Sequence, residues 1–553
     1  MMIRELLTQR FRDAFAAAQA QGALPPGAPA DEIIERPQKP EHGDFACTIA
    51  MKAARTLRLP PIKIAQALVP LVDKGAEIQD LDVVPPGFIN VRLSPAWLQR
   101  HVDAIRADGE RFGRAATGAG RRVQVEFVSV NPTGPIHVGH ARGAVLGSAL
   151  ANIMAAAGYD VTREYYVNDA GTQMQLFYRS LYARYLQALG RQAEMPQDGY
   201  RGQYMVELGQ DLAKELGTRI GDMPEEQGLA EIGRIGLERM LAAIRVDLEA
   251  VRVTFDVWFS ERSLFADGTY EKSMELLKQG GYLANRDGAL WFESTRLGDD
   301  RDSVLVRSTG VPTYFASDAA YHYNKLSVRK FDRVVDIWGA DHQGHVNRVK
   351  AVAEALGADP GKLTVLIAQM VALKRGGESV RASKRTGELV TLRELVEEVG
   401  PDACRFFFLA RSPEAQMEFD LDLAVKQSQD NPVYYLQYGH ARIAGILRNA
   451  AERGLRYDDG DVALLTAPEE LDLIRKLLAL PELVEAMAER LEPHHLPHYA
   501  LELATAFHWF YDRCRVISDD AALTKARLKL ADAARIGLAQ CLRLMGMSAP
   551  ERM

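Results

Sequence analysis

Two histidines that flank a glycine are the first residues whose types and spacing suit a chemical step. They lie in Asn131-Pro-Thr-Gly-Pro-Ile-His-Val-Gly-His-Ala-Arg-Gly143. The ring N–H groups of His137 and His140 can donate hydrogen bonds to the negative charge that builds on phosphate oxygens in a transition state. The segment therefore predicts a site for a nucleotide triphosphate such as ATP, with attack on its α-phosphate as the chemistry.

A strand, a helix and a second strand must position these histidines. The run 123–130 alternates in a β-branched-rich pattern, residues 141–157 are apolar nearly all round and stop at Gly158, and residues 160–167 return as a strand. Such a βαβ unit has a right-handed crossover. Gly139 would let backbone approach a phosphate, which the amides and dipole of a helix start attract. The alternative is a pair of capping histidines or of zinc ligands on one helical face, and for zinc no nearby Cys or carboxylate completes the set.

A second βαβ unit is predicted further along the chain. Strand-like residues 331–338 precede Gly339-Ala-Asp-His-Gln-Gly-His345, a helix to about Leu356, and a second strand over 363–368. If both units share one sheet, their turns meet at the carboxyl ends of the strands, where open α/β sheets bind ligands. A ligand site between the two turns is therefore expected.

Composition sets limits on the class of protein. The chain has 553 residues, of which 47% are hydrophobic and 25% charged, and 67 basic against 74 acidic residues give a net charge of −7. The length predicts three or four domains of an ordinary soluble protein. The charge excludes a surface coated in basic residues, but local basic patches on an acidic chain can still bind RNA.

The cysteines and the apolar runs argue against a zinc-binding, a disulfide-rich or a membrane-spanning protein. The four cysteines are scattered and form no Cys-x-x-Cys pair, so neither zinc nor a disulfide framework is expected. The longest apolar stretch, around residues 144–157, is too short for a bilayer and contains Ser148 and Asn152. Residues 1–13 suggest an amphipathic helix with acids and no signal-peptide core, so a cytoplasmic location without membrane contact is expected.

Composition shifts along the chain predict three domains. Glycines interrupt residues 111–121, residues 187–228 are rich in Gly, Gln and acids, and helical periodicity dominates after residue 430. In the first domain, helices are expected over 3–21, 45–57 and 61–72, before a strand over 87–93. The predicted domains are a small α+β domain (1–113), a nucleotide-binding domain (114–428) with an insertion around 187–310, and an all-α bundle (429–553).

The context of the two histidines resembles a known signature. Glu126-Phe-Val-Ser-Val-Asn131-Pro-Thr-Gly-Pro135 followed by His-x-Gly-His is similar to class I aminoacyl-tRNA synthetases, most closely the arginyl family. The ending Leu542–Met553 and the segment Gly43-Asp-Phe-Ala46 resemble the same family, so the likeness covers nearly the whole chain. It implies a Rossmann-like, HUP-type parallel-sheet catalytic domain. The signature comprises Asn131, Pro132, Thr133, Gly134, Pro135, Ile136, His137, Val138, Gly139, His140 and Ala141.

A basic segment follows the second βαβ unit. Residues 373–388 combine glycines with several Lys and Arg residues, a pattern that in isolation usually marks a solvated loop. In the family this place carries a Lys-Met-Ser-Lys-Ser motif, and Arg381-Ala-Ser-Lys-Arg385 resembles a degenerate copy. The resemblance assigns Ser383 and Lys384 to ATP, with Lys384 on the pyrophosphate side, and leaves Lys374 and Arg381 as candidate helpers. It also assigns to ATP His137, Gly139, His140, Gly339, Asp341 and His342.

The arginyl family needs a pocket for a guanidinium, a planar fork of five donors that carboxylates and phenols satisfy. Tyr314 and Asp318 are spaced one helical turn apart. By resemblance, Glu126, Tyr314 and Asp318 hold the guanidinium, Asn131 helps to fix the α-amino group, and His342 lies beside the amino acid. The alternative is that Asp318 caps a helix and Tyr314 is merely packed.

The resemblance implies a reaction and its partners. L-arginine and ATP with Mg²⁺ give arginyl-adenylate, and the 2′-hydroxyl of the terminal ribose of tRNA(Arg) then takes the arginine, with tRNA bound first and no editing site. The bundle would bind the anticodon, where the aromatic stretch 507–511 either stacks on bases or forms a core helix. A monomer is expected. The alternatives are a cysteine-specific synthetase, a small transferase such as pantothenate synthetase, or a catalytically silent tRNA-binding relative.

Overall fold

The computed structural model describes residues 3–29, 31–37, 39–380 and 389–553, so Arg381, Ser383 and Lys384 lie outside the described residues. The helices are α1 (Ile3–Ala20), α2 (Ile49–Leu57), α3 (Pro61–Leu68), α4 (Pro95–Asp108), α5 (Val138–Ala156), α6 (Gly171–Ala188), α7 (Gln203–Leu216), α8 (Glu225–Ala250), α9 (Glu261–Ala266), α10 (Thr269–Gln279), α11 (Tyr314–Tyr323), α12 (Val346–Ala355), α13 (Leu392–Val399), α14 (Pro401–Leu409), α15 (Leu421–Ala424), α16 (Pro432–Glu452), α17 (Pro468–Leu478), α18 (Leu480–Arg490), α19 (His495–Arg513) and α20 (Ala521–Met545). The strands are β1 (Ile34–Glu35), β2 (Phe45–Cys47), β3 (Ile78–Val84), β4 (Phe88–Leu93), β5 (Arg122–Glu126), β6 (Asp160–Val167), β7 (Val257–Ser260), β8 (Leu283–Arg286), β9 (Ala289–Phe292), β10 (Ser303–Val306), β11 (Arg333–Gly339), β12 (Leu363–Ala368), β13 (Val371–Arg375), β14 (Glu378–Val380) and β15 (Met417–Asp420).

A five-stranded parallel sheet forms the centre of the molecule. Its strand order is β12-β11-β5-β6-β7, and every neighbouring pair is parallel. The chain builds outward from β5 in one direction through β6 and β7, then returns to the other side of β5 with β11 and β12. The order therefore reverses between β5 and β11, and open α/β sheets bind ligands at such a switch point.

Helix α5 connects β5 to β6 and is covered on nearly all sides. It packs on β5, β6 and β11 and also on α14, α18 and α20, which explains why its sequence lacks a polar face. A Cβ at Gly147 would come within 2.2 Å of the Phe127 ring, so glycine lets α5 lie close to the end of β5. The first turn of α5, with both histidines, is thereby held at the carboxyl edge of the sheet.

The N-terminal unit and the C-terminal bundle contact one another. A four-stranded antiparallel sheet, β1-β2-β4-β3, packs with α1 to α3. Helix α4 lies against α17 and α20, and Arg106 pairs with Asp532 across this contact at 3.0 Å. Arg475 of α17 pairs with Asp44 at 2.6 Å. Burial of apolar residues is continuous from the N-terminal sheet through α5 into the bundle.

Two local expectations are wrong. Residues 45–47 form β2 rather than the start of a helix, because they pair with β1 and β4, and α2 begins only at Ile49. The first strand of the central sheet ends at Glu126 and not at residue 130, because Val128 and Ser129 adopt positive φ angles that no strand allows. In the described ranges, every helix is too short or too polar to cross a membrane.

Candidate active site

A cleft of about 820 Å³ opens at the carboxyl edge of the central sheet, over the switch point between β5 and β11. Most residues singled out from the sequence line it. They are Glu126, Asn131, Thr133, Gly134, Pro135, His137, His140, Tyr314, Asp318, Gly339, Asp341 and His342. The signature residues Ile136, Val138 and Ala141 are instead buried, and Pro132 and Gly139 do not line the cleft.

A sharp turn after β5 positions the carboxylate of Glu126. Val128 and Ser129 have φ angles of 70° and 42°, a left-handed conformation that is strained for side chains of this kind. The turn brings the Ser129 hydroxyl to 2.9 Å from Glu126, to which it donates. The same hydroxyl oxygen accepts from the backbone N–H of Tyr166 at 3.0 Å. Neighbouring strands thus hold the strained turn in place.

His137 caps the start of α5 and is held in one tautomer. Its Nδ1 accepts from the backbone N–H of Gly139 at 3.1 Å, so the proton of the neutral ring lies on Nε2 and remains available as a donor. A Cβ on residue 139 would lie 2.8 Å from the His137 ring. Glycine at position 139 therefore lets the His137 ring fold back over the first turn of α5.

His140 lies beside His137 and is neutral. The ring centroids are 3.8 Å apart. Burial, and secondarily the proximity of His137, lowers the pKa of His140 to about 4, and burial also lowers the pKa of His137. The Nδ1 atom of His140 is buried without a hydrogen-bond partner among the described residues. Two neutral rings and the N-terminus of a long helix thus form one wall of the cleft, which suits phosphate oxygens.

A buried lysine that the sequence pattern did not predict lies close to Glu126. Lys325 is fully buried in a π-helical segment, Asn324–Val328, that continues α11. Its ammonium donates to Glu126 at 2.5 Å and to Asp336 at 2.8 Å. Burial raises the pKa of Glu126. Burial by itself would raise the pKa of Asp336, but the Lys325 charge and the hydrogen bonds from His322 and Lys325 together hold the pKa of that carboxyl below its ordinary value.

A second residue that the sequence pattern did not predict is Glu261, which directly follows β7. Its side chain is buried and lines the cleft, and its Oε2 has no hydrogen-bond partner within the described residues. Burial, reinforced by the nearby charges of Asp318 and Asp169, raises the pKa of Glu261 to about 7. Burial likewise raises the pKa of Asp318. Among the described residues, the acidic part of the cleft therefore holds more carboxylates than the ammonium of Lys325 can neutralise, which favours a cationic ligand.

Tyr314 and Asp318 occupy successive turns of α11 and both line the cleft, as their spacing predicts. Tyr314 is the more exposed, at 42%. Asp318 lies deeper, and its backbone carbonyl is 2.8 Å from Nδ1 of His322. The carboxylate of Asp318 is therefore a wall of the cleft, and it does not cap the helix, which begins four residues earlier.

The amide of Asn131 belongs to a polar cluster at the rim. Asn131 donates to Gln173 at 2.7 Å and accepts from Asn168 at 2.9 Å. All three line the cleft. Their donors and acceptors are suited to an amino or carboxylate group at the open side of the site.

The turn after β11 forms the third side. Residues Ala340–His345 make a short 3-10 helix, and Asp341 and His342 are exposed, with 3.3 Å between Asp341 Oδ2 and His342 Nε2. His345 is also exposed and lines the cleft. This side presents polar, accessible groups next to the histidine wall.

A parallel sheet with a cleft at its switch point and a His-x-Gly-His helix start is the architecture of the class I aminoacyl-tRNA synthetases. Sequence families agree along the chain. Residues 3–93 match the family described as Arginyl tRNA synthetase N terminal domain, residues 101–406 that described as tRNA synthetases class I (R), catalytic domain, and residues 436–553 that described as DALR anticodon binding domain.

Individual proteins give the same result over the full length. A protein of Dehalococcoides mccartyi named arginine–tRNA ligase is 54% identical over 553 residues, which cover 100% of this chain and 99% of that protein. One of the same name from Carboxydothermus hydrogenoformans is 47% identical over 557 residues, 99% of this chain and 100% of its own. The solved structure of Thermus thermophilus arginyl-tRNA synthetase covers 100% of both chains at 25% identity with a TM-score of 0.79. The chain belongs to the arginyl-tRNA synthetase family.

Proposed function

We propose that the cleft activates L-arginine with ATP and that the chain then transfers arginine to the terminal ribose of tRNA(Arg) for translation. The observation that carries the proposal is the division of one cleft into two chemically different walls. Neutral histidines and a helix N-terminus face carboxylates in excess of their internal counter-ion. A nucleotide phosphate and a cationic amino acid would meet between them.

The guanidinium binds at the acidic wall. Asp318 and Glu261 provide carboxylates that form no ion pair within the described residues. Tyr314 contributes a phenol. Glu126 is held by Lys325 and Ser129, but carboxylate oxygens have further lone pairs that can accept from the guanidinium. A neutral analogue would leave these charges unpaired, which explains how such a site rejects it without editing.

The triphosphate binds at the histidine wall. The N–H donors of His137 and His140 face the α-phosphate, Gly339, Asp341 and His342 lie on the adenosine side, and Asn131 holds the α-amino group of arginine. Mg²⁺ arrives with ATP, held by phosphates and water; the described residues contain no group of three His, Cys, Asp or Glu side chains that could hold a metal. Ser383 and Lys384 remain proposals from the sequence, with Lys384 on the pyrophosphate side.

The reaction has two steps. The arginine carboxylate attacks the α-phosphorus, the bond to the β-phosphate oxygen breaks, and pyrophosphate leaves. The 2′-hydroxyl of the tRNA terminal ribose then attacks the carbonyl carbon of the adenylate, and AMP leaves. Negative charge builds on the α-phosphate in the first step, so a neutral N–H donor already in position lowers its barrier without reorganisation.

Pyrophosphate exchange with each amino acid, with and without tRNA, tests the proposal. Arginine with tRNA should support exchange best. Faster exchange with another amino acid, or none with arginine plus tRNA, would contradict it. Light scattering on the purified chain should give the monomer mass of 61.3 kDa, and fractionation of cells should place the chain in the cytoplasm.

Arginine binding should weaken as the pH falls through 7. Glu261 has a pKa raised to about 7, so it is ionised above that pH and neutral below it, and only the ionised form attracts a guanidinium. The KM for arginine should therefore rise by up to about tenfold per pH unit below 7, the limit for one proton. In Glu261→Gln that dependence should vanish, with a high KM at pH 8. A wild-type KM that stays flat from pH 6 to 8 would refute the assignment.

The bundle presents aromatic rings on one face of α16 and α19. Tyr434 and Tyr438 are stacked, with ring planes 7° apart, and Arg442 lies over Tyr438 and over Tyr511. Within the stretch 507–511, Phe507 and Phe510 are fully buried and belong to the core, while Trp509 is 62% exposed. The rings of α16 with Arg442 thus form the better surface for unstacked bases.

Removing one of these rings should weaken tRNA binding without affecting the cleft. Loss of a base stack costs about 1–3 kcal/mol, so Tyr438→Ala should raise the KM for tRNA by about tenfold in aminoacylation. Tyr438→Phe keeps the ring and should stay near wild type. The KM values for arginine and ATP provide the internal control, and equal loss in Tyr438→Ala and Tyr438→Phe would argue against stacking.

A further inference from the structure

Arg142, in the second turn of α5, is a fully buried cation without an acidic partner among the described residues. Its guanidinium donates to four backbone carbonyls: Ser412 at 2.6 Å, Ala415 at 2.7 Å, Gln369 at 3.1 Å and Arg411 at 3.4 Å. Burial lowers its pKa to about 10, so the side chain remains charged at neutral pH. Burying a charge is costly unless hydrogen bonds compensate, and here only carbonyl oxygens do so.

The four carbonyls lie in the loops that lead into the small sheet formed by β13, β14 and β15. Arg411, Ser412 and Ala415 lie in the turn from α14 to β15, and Gln369 lies in the connection from β12 to β13. Strand β13 pairs with both β15 and β14. Strand β14 ends at Val380, directly before the segment in which the sequence pattern places Ser383 and Lys384. Arg142 therefore connects the histidine helix to the sheet that precedes this segment.

The residues that follow the segment are fastened to the same helix start by backbone bonds. The N–H of Val138 donates to the carbonyl of Val390 at 2.9 Å, and the N–H of Leu392 donates to the carbonyl of Ile136 at 2.8 Å. One flank of residues 381–388 is thus tied directly to the start of α5. The other flank is tied to α5 through Arg142.

We infer that Arg142 is a positioning residue, which holds the β13–β14 hairpin at a set distance from His137 and His140. The inference rests on the proposed function, since β13 packs against α5, the helix that carries both histidines of the proposed ATP site. The planar fork of a guanidinium can serve four carbonyls from a fixed position, whereas a lysine ammonium has three donors at one point. Small displacements of aligned groups are expensive: about 1 Å costs on the order of 10²-fold in rate.

Arg405 provides a matched control within the same chain. It too is fully buried, and it donates to the carbonyls of Met545, Val251 and Arg252 and to the hydroxyl of Ser148. Burial lowers its pKa to about 10 as well. These bonds connect α14 to the middle of α5 and to the end of α20, and none reaches the hairpin. Its loss should destabilise the protein without moving β13 and β14.

The test compares Arg142→Lys with Arg405→Lys in the full chain. Hydrogen exchange followed by mass spectrometry should show faster exchange of residues 370–380 in Arg142→Lys only. The kcat for arginine-dependent pyrophosphate exchange in the presence of tRNA should fall by about 30-fold or more, with the KM for arginine within about threefold of wild type. Arg405→Lys should lower the melting temperature and keep kcat within about threefold of wild type.

The outcomes separate the inference from the function. Unchanged exchange at residues 370–380, the same change in Arg405→Lys, or an unaltered kcat would overturn the positioning role. If wild type shows no arginine-dependent activity, the proposed function fails, and hydrogen exchange still decides the hairpin contact. If Arg142→Lys does not fold, the same measurements are made on Arg142→Met, which removes the buried charge together with its hydrogen bonds.

Discussion

Asp318→Ala is expected to raise the KM for arginine by about a hundredfold or more. Truncating one partner of a buried, hydrogen-bonded charge pair costs about 2–5 kcal/mol, or roughly 30-fold to several thousandfold. Asp318 meets the conditions for such a cost because it lines the cleft and because burial already raises its pKa. A guanidinium would supply a counter-charge for this carboxylate.

Steady-state pyrophosphate exchange, with arginine and ATP varied separately, measures this effect. Asp318→Asn keeps the size of the side chain but not the charge, so it should lose most of the affinity as well. Asp341→Ala is the matched control, because it removes an exposed carboxylate from another side of the same cleft. It should leave the KM for arginine near wild type. An equal rise in the KM for ATP in Asp318→Ala would indicate a general structural defect instead.

The central sheet could be predicted to a large extent because its strands and helix have unambiguous periodicities. β6 and β12 have the bounds that the alternation predicts, and α5 begins three residues earlier than its apolar run. Both turns lie at the carboxyl edge because parallel pairing leaves no other arrangement. The early end of β5 escaped prediction, since nothing in Val128 or Ser129 signals a positive φ.

The acidic wall was only half visible in the sequence. Tyr314 and Asp318 stand out because four-residue spacing places them on one helical face. Glu261 does not, because β7 is four residues long and lies within the range assigned to the insertion. The rule that ligands lie beyond the carboxyl ends of parallel strands applies to Glu261 once β7 is known to join the sheet. The pairing of β7 with β6 is a tertiary contact, and the local sequence pattern does not predict it.

Lys325 shows a second limit. Its surroundings in the sequence, Tyr-Asn-Lys-Leu-Ser, resemble the exposed end of a helix, where lysine is common. The π-helical segment turns the side chain inward instead, between Glu126 and Asp336. Because the pattern of hydrogen bonds along a helix is decided by packing, single-sequence reasoning has no signal for this change. The balance of acidic and basic side chains around the cleft could therefore be determined only from the structure.

His140→Ala is expected to lower kcat by about 10²–10³-fold, the usual cost of removing one donor to a developing oxyanion. The KM for arginine should change little, because the acidic wall is untouched. His140→Asn retains an N–H donor and should recover part of the loss. The control is His345→Ala, which removes an exposed ring from the third side of the cleft and should cost less.

The pH profile of the same variant tests the protonation state. With a pKa lowered to about 4, His140 is neutral throughout pH 6–8 and cannot produce a titration step there. The step near pH 7 belongs to Glu261, so it should persist in the KM for arginine when His140 is replaced. If it disappears in His140→Ala but survives in Glu261→Gln, the histidine acts as a cation, and the two walls of the cleft exchange their electrostatic roles.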